Sequence, residues 1–302
     1  MSLTEVRDAL RPRSVTKVTP QALLRSKQAA TPITALTAYD YPTARLVDEA
    51  GIDLLLVGDS LGTAVLGYDN TLSVTMDDML HHARAVRRGV ERAMLVVDMP
   101  YGSYQVSVED TLRNALRLVK ESGAEAVKLE GGATQASRVR ALTAAEIPVV
   151  GHIGLTPQSV YRMGGYQVQG RSEATADQLR ADALALEQAG AIALVLEGIP
   201  RELAAQITAL LTIPTIGIGA GPDCDGQILV FHDLFELSFA KRPKFVRSFG
   251  NGRQFLELGL RSYRDAVTKK TFPNDAESYH MPKGVSLQVT DALRANEVVV
   301  CG

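Results

Sequence analysis

Short runs of β-branched and aliphatic residues recur along the chain, each parted from the next by a stretch with helical spacing. They are Ile33–Thr37 (ITALT), Leu54–Val57 (LLLV), Met94–Asp98 (MLVVD), Ala126–Glu130 (AVKLE), 148–151 (PVVG), Ala193–Glu197 (ALVLE) and 214–218 (PTIGI), with a weaker eighth at 244–246 (KFV). Most are apolar on both faces, as parallel strands covered by helices must be. Between them, residues 77–89 set Met79, Leu80, Ala83 and Val86 at helical spacing. Residues 108–123 do the same with Leu112, Ala115, Leu116 and Val119, residues 177–190 with Leu179, Ala183 and Leu186, and residues 201–211 form a shorter segment. Gly51, Gly123 and Gly190 each precede a strand, where a helix closes on a left-handed glycine. Eight strands alternating with helices predict an α/β fold, a closed (β/α)8 TIM barrel. An open doubly wound sheet is the alternative, but no Gly-rich fingerprint follows the first strand.

Composition narrows the class. At 302 residues the chain has room for one barrel with flanking segments, read here as a leader with a short helix over 1–27, a barrel over 28–281 and a tail over 282–302. The leader reads as loosely attached. The apolar VVVC near the end reads as packing against something, such as another subunit. Lys+Arg 32 against Asp+Glu 34 leaves a net charge of −2, so no nucleic-acid footprint is expected. No apolar run approaches the roughly 20 residues that span a bilayer. The first residues lack the apolar core of a secretion signal, and Glu5 and Asp8 argue against a transit peptide. Two cysteines, Cys224 and Cys301, exclude a disulfide framework and point to a reducing cytoplasm.

The acidic residues carry the chemistry. Side chains alternate along a strand, so Asp98 shares a face with Met94 and Val96, Lys128 and Glu130 with Ala126, and Glu197 with Val195. Asp59 keeps parity with Val57, and His152 with Val150. If Val127, Leu129, Leu194 and Leu196 face the outer helices, these polar groups point into the barrel. All lie at strand C-terminal ends, where barrel active sites are built. Taken singly, each has an ordinary explanation: Asp59 or Glu130 capping a helix, Lys128 in a structural ion pair, His152 hydrogen-bonded in a core. Together, four carboxylates at one end of a barrel repel unless a cation, a lysine or protonation compensates, and a bound divalent metal is the simplest compensation. Carboxylates without cysteine or a close histidine pair suit Mg2+ or Mn2+ better than zinc.

Three loops flank this end. Residues 62–77 and 152–171 are long enough to be lids. Residues 216–226 (IGIGAGPDCDG) are Gly-rich, as a phosphate-binding loop or as tight turns. Nothing near Cys224 in sequence activates it, so a thiol nucleophile is not expected.

The blocks TAYDYPTARLVDEAGID, LLVGDSLG, GYDNTLSVT, VVDMPYGSY, AVKLEGG, GHIGLTPQSV, GGYQVQGR, IPTIGIGAGPDCDGQILV and FPNDAESYH closely resemble the ketopantoate hydroxymethyltransferase family over roughly residues 33 to 280. The resemblance implies a barrel of the phosphoenolpyruvate mutase/isocitrate lyase type in pantothenate biosynthesis. It implies hydroxymethyl transfer from 5,10-methylenetetrahydrofolate to 3-methyl-2-oxobutanoate. It further implies Mg2+, with Mn2+ or Co2+ as substitutes, and a homo-oligomer, a decamer built as a pentamer of dimers. By motif, it places metal ligation on Asp59, Asp98 and Glu130. Substrate binding falls on Asp59, Ser60, Asp98, Lys128 and His152, and general-base catalysis on Glu197. A poorly solvated carboxylate beside apolar strand residues is a stronger base, which suits Glu197. One competing reading is a lyase of the isocitrate lyase type, but its cysteine loop is missing from the sequence. A non-catalytic barrel is the other, but every matched site position keeps its chemistry.

Overall fold

The computed structural model describes residues 16–239 and 242–285. Strands β1 (Ile33–Thr37), β2 (Leu54–Val57), β3 (Met94–Asp98), β4 (Ala126–Glu130), β5 (Val149–Gly154), β6 (Ala193–Glu197), β7 (Thr215–Ile218) and β8 (Gly226–Leu229) pair in parallel in chain order. The barrel closes where β8 meets β1, with Ile33 opposite Gly226 and Ala35 opposite Ile228.

Strand parity sorts the side chains into two cores. Leu55, Val57, Leu95, Val97, Val127, Leu129, Leu194 and Leu196 face outward into one large cluster with the helices. The inner cluster holds Ile33, Ala35, Leu54, Leu56, Met94, Val96, Ala126, Val150, Val195, Ile216 and Ile228. For β3 to β6 the two faces fall as the sequence predicts, and Asp98, Lys128, Glu130, His152 and Glu197 continue the inner set toward the strand C-terminal ends. Asp59 does not follow this rule: Val57, with which it keeps parity, faces the helices, and Asp59 reaches the mouth only through the turn after β2.

The longer helices are α1 (Pro20–Gln28), α2 (Tyr41–Glu49), α3 (Met76–Arg87), α4 (Val108–Ser122), α5 (Ala136–Ala144), α6 (Glu173–Gln188), α7 (Arg201–Leu210) and α8 (Gly252–Thr268). Local chemistry sets their ends. Thr75 and Asp78 form a capping box on α3, and Ser107 caps α4, which closes on Gly123 at φ 73°.

The described part of the expected leader is firmly held. Thr19 caps α1, whose Leu23 is buried and joins Val18 in the inner cluster. Val18 N donates to Arg92 O, just before β3, and Lys27 pairs with Asp225, just before β8, at 2.8 Å. This segment thus lies across the barrel's N-terminal end and closes its floor.

The eighth strand differs from expectation. Residues 244–246 form a turn, closed by Val246 N donating to Pro243 O at 3.1 Å. The strand is instead Gly226–Leu229, reached from β7 without an intervening helix. Gly226 is required there, because a Cβ would lie 2.5 Å from Ile33 O and 2.7 Å from Ile216. The Gly-rich residues 219–225 make this return in tight turns, with Gly219 and Gly221 at positive φ. The fifth strand also runs further than its apolar core, to Gly154, and so carries His152 itself.

The chain divides into two compact units, residues 1–251 and 252–302. The second contains α8, whose Phe255, Leu260 and Tyr263 are exposed, and a short turn over Asp275–Glu277 capped by Asn274. The expected tail boundary at residue 282 lies within this unit, and Cys301 and the VVVC segment lie outside the described residues. Among the described residues no helix is long and apolar enough to cross a membrane.

Candidate active site

Asp59, Asp98, Lys128, Glu130 and His152 are all buried at the C-terminal mouth of the barrel, and Glu197 is the most open of the group at 15 % side-chain exposure. Adjacent strands bring them together, since Asp98 sits opposite Lys128, Glu130 opposite His152 and Gly154 opposite Glu197. Asp59 follows β2 on a tight turn, and its N–H donates to Asp98 Oδ2 at 3.1 Å. Gly58 makes that turn fit, because a Cβ there would lie 2.8 Å from Ser60 Oγ and 3.5 Å from Asp98 Oδ2. Ser60 Oγ is 2.8 Å from the buried Tyr39 hydroxyl.

A polar chain links the strands. Lys128 Nζ lies 3.0 Å from Asp98 Oδ1 and 3.2 Å from His152 Nδ1. The ammonium donates to Nδ1, which assigns the neutral ring's proton to Nε2. Nε2 in turn lies 3.2 Å from Glu197 Oε2. Both close approaches, to Asp98 Oδ1 and from His152 Nε2, run off the hydrogen-bond axis, so these two buried atoms lack a true hydrogen-bond partner. Glu130 stands to the side, 3.7 Å from His152 Nδ1.

Gln158 and Tyr104 escaped sequence reasoning. Gln158 sits in a short turn over Pro157–Ser159, buried among the acids. Its backbone N–H donates to Glu130 Oε2 at 3.0 Å, and its Nε2 donates to Asp59 Oδ2 at 2.8 Å and Met99 O at 3.0 Å. Its Oε1 accepts from the Tyr104 hydroxyl at 2.6 Å. The available signal was the PQS at the end of GHIGLTPQS, but its meaning depends on the loop folding back over the mouth. Tyr166, from the same loop, has its phenol pushed up by burial and by the charges of Asp59, Glu197 and Glu130, so this loop overlooks the site.

The electrostatics are unbalanced. Four carboxylates face one ammonium. Two unit charges about 4 Å apart interact by roughly 4 kcal/mol at an effective dielectric near 20, so one lysine offsets only part of the repulsion. Asp59 is pushed up to about 7 by burial first and then by the Asp98 charge, against the pull of Lys128 and the Gln158 hydrogen bond. Burial, then the Asp59 charge, drives Glu130 well above the carboxylate range. For Lys128, burial acts downward, but the charges of Asp98, Glu130 and Asp59 outweigh it and keep the ammonium. Burial and then Lys128 lower His152, so the imidazole is neutral at neutral pH.

Among the described residues no three His, Cys, Asp or Glu side chains form a ready-made metal cage. The three acids expected to hold metal are therefore not gathered around one point: Asp59 and Asp98 adjoin, while Glu130 turns toward Gln158 and His152. Two adjoining carboxylates, one with a buried oxygen lacking a hydrogen bond, still fit a hard cation that keeps water or substrate oxygens on its other positions. Cys224 lies half-buried with its thiol pushed up by burial, which agrees with the absence of a thiol nucleophile.

The closed parallel (β/α)8 barrel is a fold shared with solved members of the phosphoenolpyruvate mutase/isocitrate lyase superfamily. A 2,3-dimethylmalate lyase of that superfamily is similar with a TM-score of 0.52 at 20 % identity, covering 83 % of this chain and 98 % of its own. A phosphonopyruvate hydrolase solved with oxalate and Mg2+ is similar with a TM-score of 0.52 at 15 % identity, covering 85 % and 92 %. At such identities the likeness concerns the fold alone. The sequence is more particular. Residues 17–275 match the model of the ketopantoate hydroxymethyltransferase family, and the 3-methyl-2-oxobutanoate hydroxymethyltransferase of Koribacter versatilis is 60 % identical over 267 residues, 88 % of this chain and 90 % of the relative. The chain belongs to the ketopantoate hydroxymethyltransferase family, and is thus a transferase.

Proposed function

We propose that this chain transfers a hydroxymethyl group from 5,10-methylenetetrahydrofolate to 3-methyl-2-oxobutanoate, giving 2-dehydropantoate. The observation that carries the mechanism is the run Asp98–Lys128–His152–Glu197, which sets a neutral imidazole between an ammonium and the most open carboxylate. Glu197 is the general base. It takes the C3 proton of the ketoacid, and the electron pair moves toward the keto oxygen. His152 presents its Nε2 side to Glu197 and orients it. Because His152 is neutral, it does not hold the carboxylate in a fixed ion pair. Lys128 fixes the imidazole tautomer and offers positive charge to the substrate's developing oxygen. Ser60, held by Tyr39, donates to the substrate carboxylate.

Asp59 and Asp98 would hold Mg2+, with Glu130 acting directly or through water, and the bound ion would supply positive charge at the developing enolate oxygen. A fold neighbour was solved with Mg2+ and oxalate, a small diacid, which supports this choice. C3 then bonds to the methylene carbon of the donor as one of that carbon's two bonds to nitrogen breaks, and the oxygen of a water replaces the other to give the hydroxymethyl group. The proton taken from C3 and one from the water end on the two nitrogens, and tetrahydrofolate leaves. The same reading makes the protein a cytoplasmic homo-oligomer of decameric order, which light scattering of the purified chain tests.

Proton NMR of 3-methyl-2-oxobutanoate in D2O tests the reaction, with and without EDTA, before and after addition of methylenetetrahydrofolate. Metal-dependent loss of the C3 proton signal, then a new hydroxymethyl signal with the donor, is the expected result. No exchange by a folded, metal-loaded protein would sink the proposal.

A further inference from the structure

Beside the acids, the loops after β3, β4 and β5 and one face of α6 line a cavity of about 540 Å3. Glu130 and Gln158 form its inner end, so it opens directly onto the site. It continues into a second cavity of about 210 Å3, with Gly132, Arg162 and Asp182 shared between the two. The larger cavity has the volume of a small-molecule site, and the smaller one extends it.

Three features equip this groove for a polar ligand. First, two of its oxygens, Gln135 Oε1 and Thr156 Oγ1, are buried without a hydrogen-bond partner, and Thr156 is only 4 % exposed. Such an atom is unfavourable until a donor reaches it. Second, Asp182 is a rigid acceptor. Its Oδ1 receives Ala133 N–H at 2.8 Å and Gln178 Nε2 at 3.1 Å, while Oδ2 has no hydrogen bond among the described residues. Only glycine at 132 allows this seat, because a Cβ there would lie 2.0 Å from Asp182 Cγ. Third, Arg162 lines both cavities and has no carboxylate partner among the described residues.

Held acceptors at one part of a groove and a free guanidinium at another match a flat heterocycle with N–H groups on its edge and an acidic tail. We infer that this groove seats the one-carbon donor. Asp182 Oδ2 and Gln135 Oε1 accept from the aminopyrimidine edge, and Arg162 pairs with the tail carboxylates. The inner end at Glu130 and Gln158 then gives the donor's methylene carbon its way to the enolate. This inference rests on the donor named in the proposed function.

The test compares the whole chain with Asp182→Asn and Arg162→Ala, using tetrahydrofolate as the binding probe with 3-methyl-2-oxobutanoate present. Asparagine keeps an oxygen for Ala133 N–H. Deuterium exchange at C3 needs no donor and reports the acids alone. Both variants are expected to exchange at the wild-type rate, while the tetrahydrofolate Kd and the donor KM rise roughly 10- to 100-fold, as for a lost charge-assisted hydrogen bond. Unchanged donor affinity in both variants overturns the placement and leaves the reaction standing. Exchange falling in step with transfer in both variants also overturns it, because the groove would then belong to the enolising machinery. A wild-type protein that exchanges C3 but neither binds tetrahydrofolate nor forms product removes the donor, and this inference with it.

Discussion

At the scale of single residues, two outcomes are set by the acids at the mouth. Glu197→Gln keeps the shape of the proposed base and removes its proton affinity. Deuterium exchange at C3 should fall by roughly 10²- to 10⁴-fold while the ketoacid still binds, and calorimetry beside NMR checks both. An unchanged exchange rate would assign the base elsewhere. Asp59 gives a pH signature. Its folded pKa of about 7 lies above the ordinary 3.8, so the folded chain holds a proton that the unfolded chain releases between those values. Without metal, this group's contribution to stability is fully present below about pH 4 and is lost as pH rises toward about 7. A divalent cation needs the carboxylate, so its affinity should rise with pH through the same window and level off above it. Below about pH 7 binding should release protons. Titration calorimetry at about pH 6 in two buffers of different ionisation heat measures that release, and equal heats after dilution correction would contradict it.

At the scale of elements, the turn over Pro157–Ser159 ties the mouth together. Gln158 joins the loop after β5 to Asp59 after β2, Met99 after β3 and Glu130 on β4. Gln158→Leu leaves buried acceptors without donors. It should lower the unfolding free energy by about 1–3 kcal/mol and also slow C3 exchange. Denaturant melts and the NMR assay measure the two effects, and a stability loss with full exchange would make Gln158 merely structural. The same turn shows where sequence reading stops. Asp98, Lys128, Glu130 and Glu197 were legible because strand parity alone decides which face a residue takes. Gln158 was not, because its partners come from three other strands and meet only when the loop folds over them. β8 was missed for a related reason. It opens on a glycine, no helix precedes it, and its place depends on close approach to Ile33 on the first strand.

At the scale of the whole molecule, the barrel is held by an outer apolar layer between strands and helices and an inner one along its axis. α1 belongs to the inner layer through Leu23, which is 1 % exposed. Leu23→Ala should destabilise by about 2–4 kcal/mol, read as a lower denaturation midpoint with an unchanged slope, since it opens a cavity at the floor. A cost below 1 kcal/mol, roughly that of a surface site, would show that the segment does not seal the barrel.

That seal also fixes traffic. With the floor closed among the described residues, both proposed reactants enter from the C-terminal mouth. On the proposed function, the ketoacid lies deeper, against Asp59, Asp98 and Lys128, and the one-carbon donor nearer the rim. Entry should therefore follow an obligatory sequence, ketoacid before donor, with exit in reverse, tetrahydrofolate before product. Product-inhibition kinetics would show 2-dehydropantoate competing with the ketoacid alone, and a random-order pattern would mean a second way in.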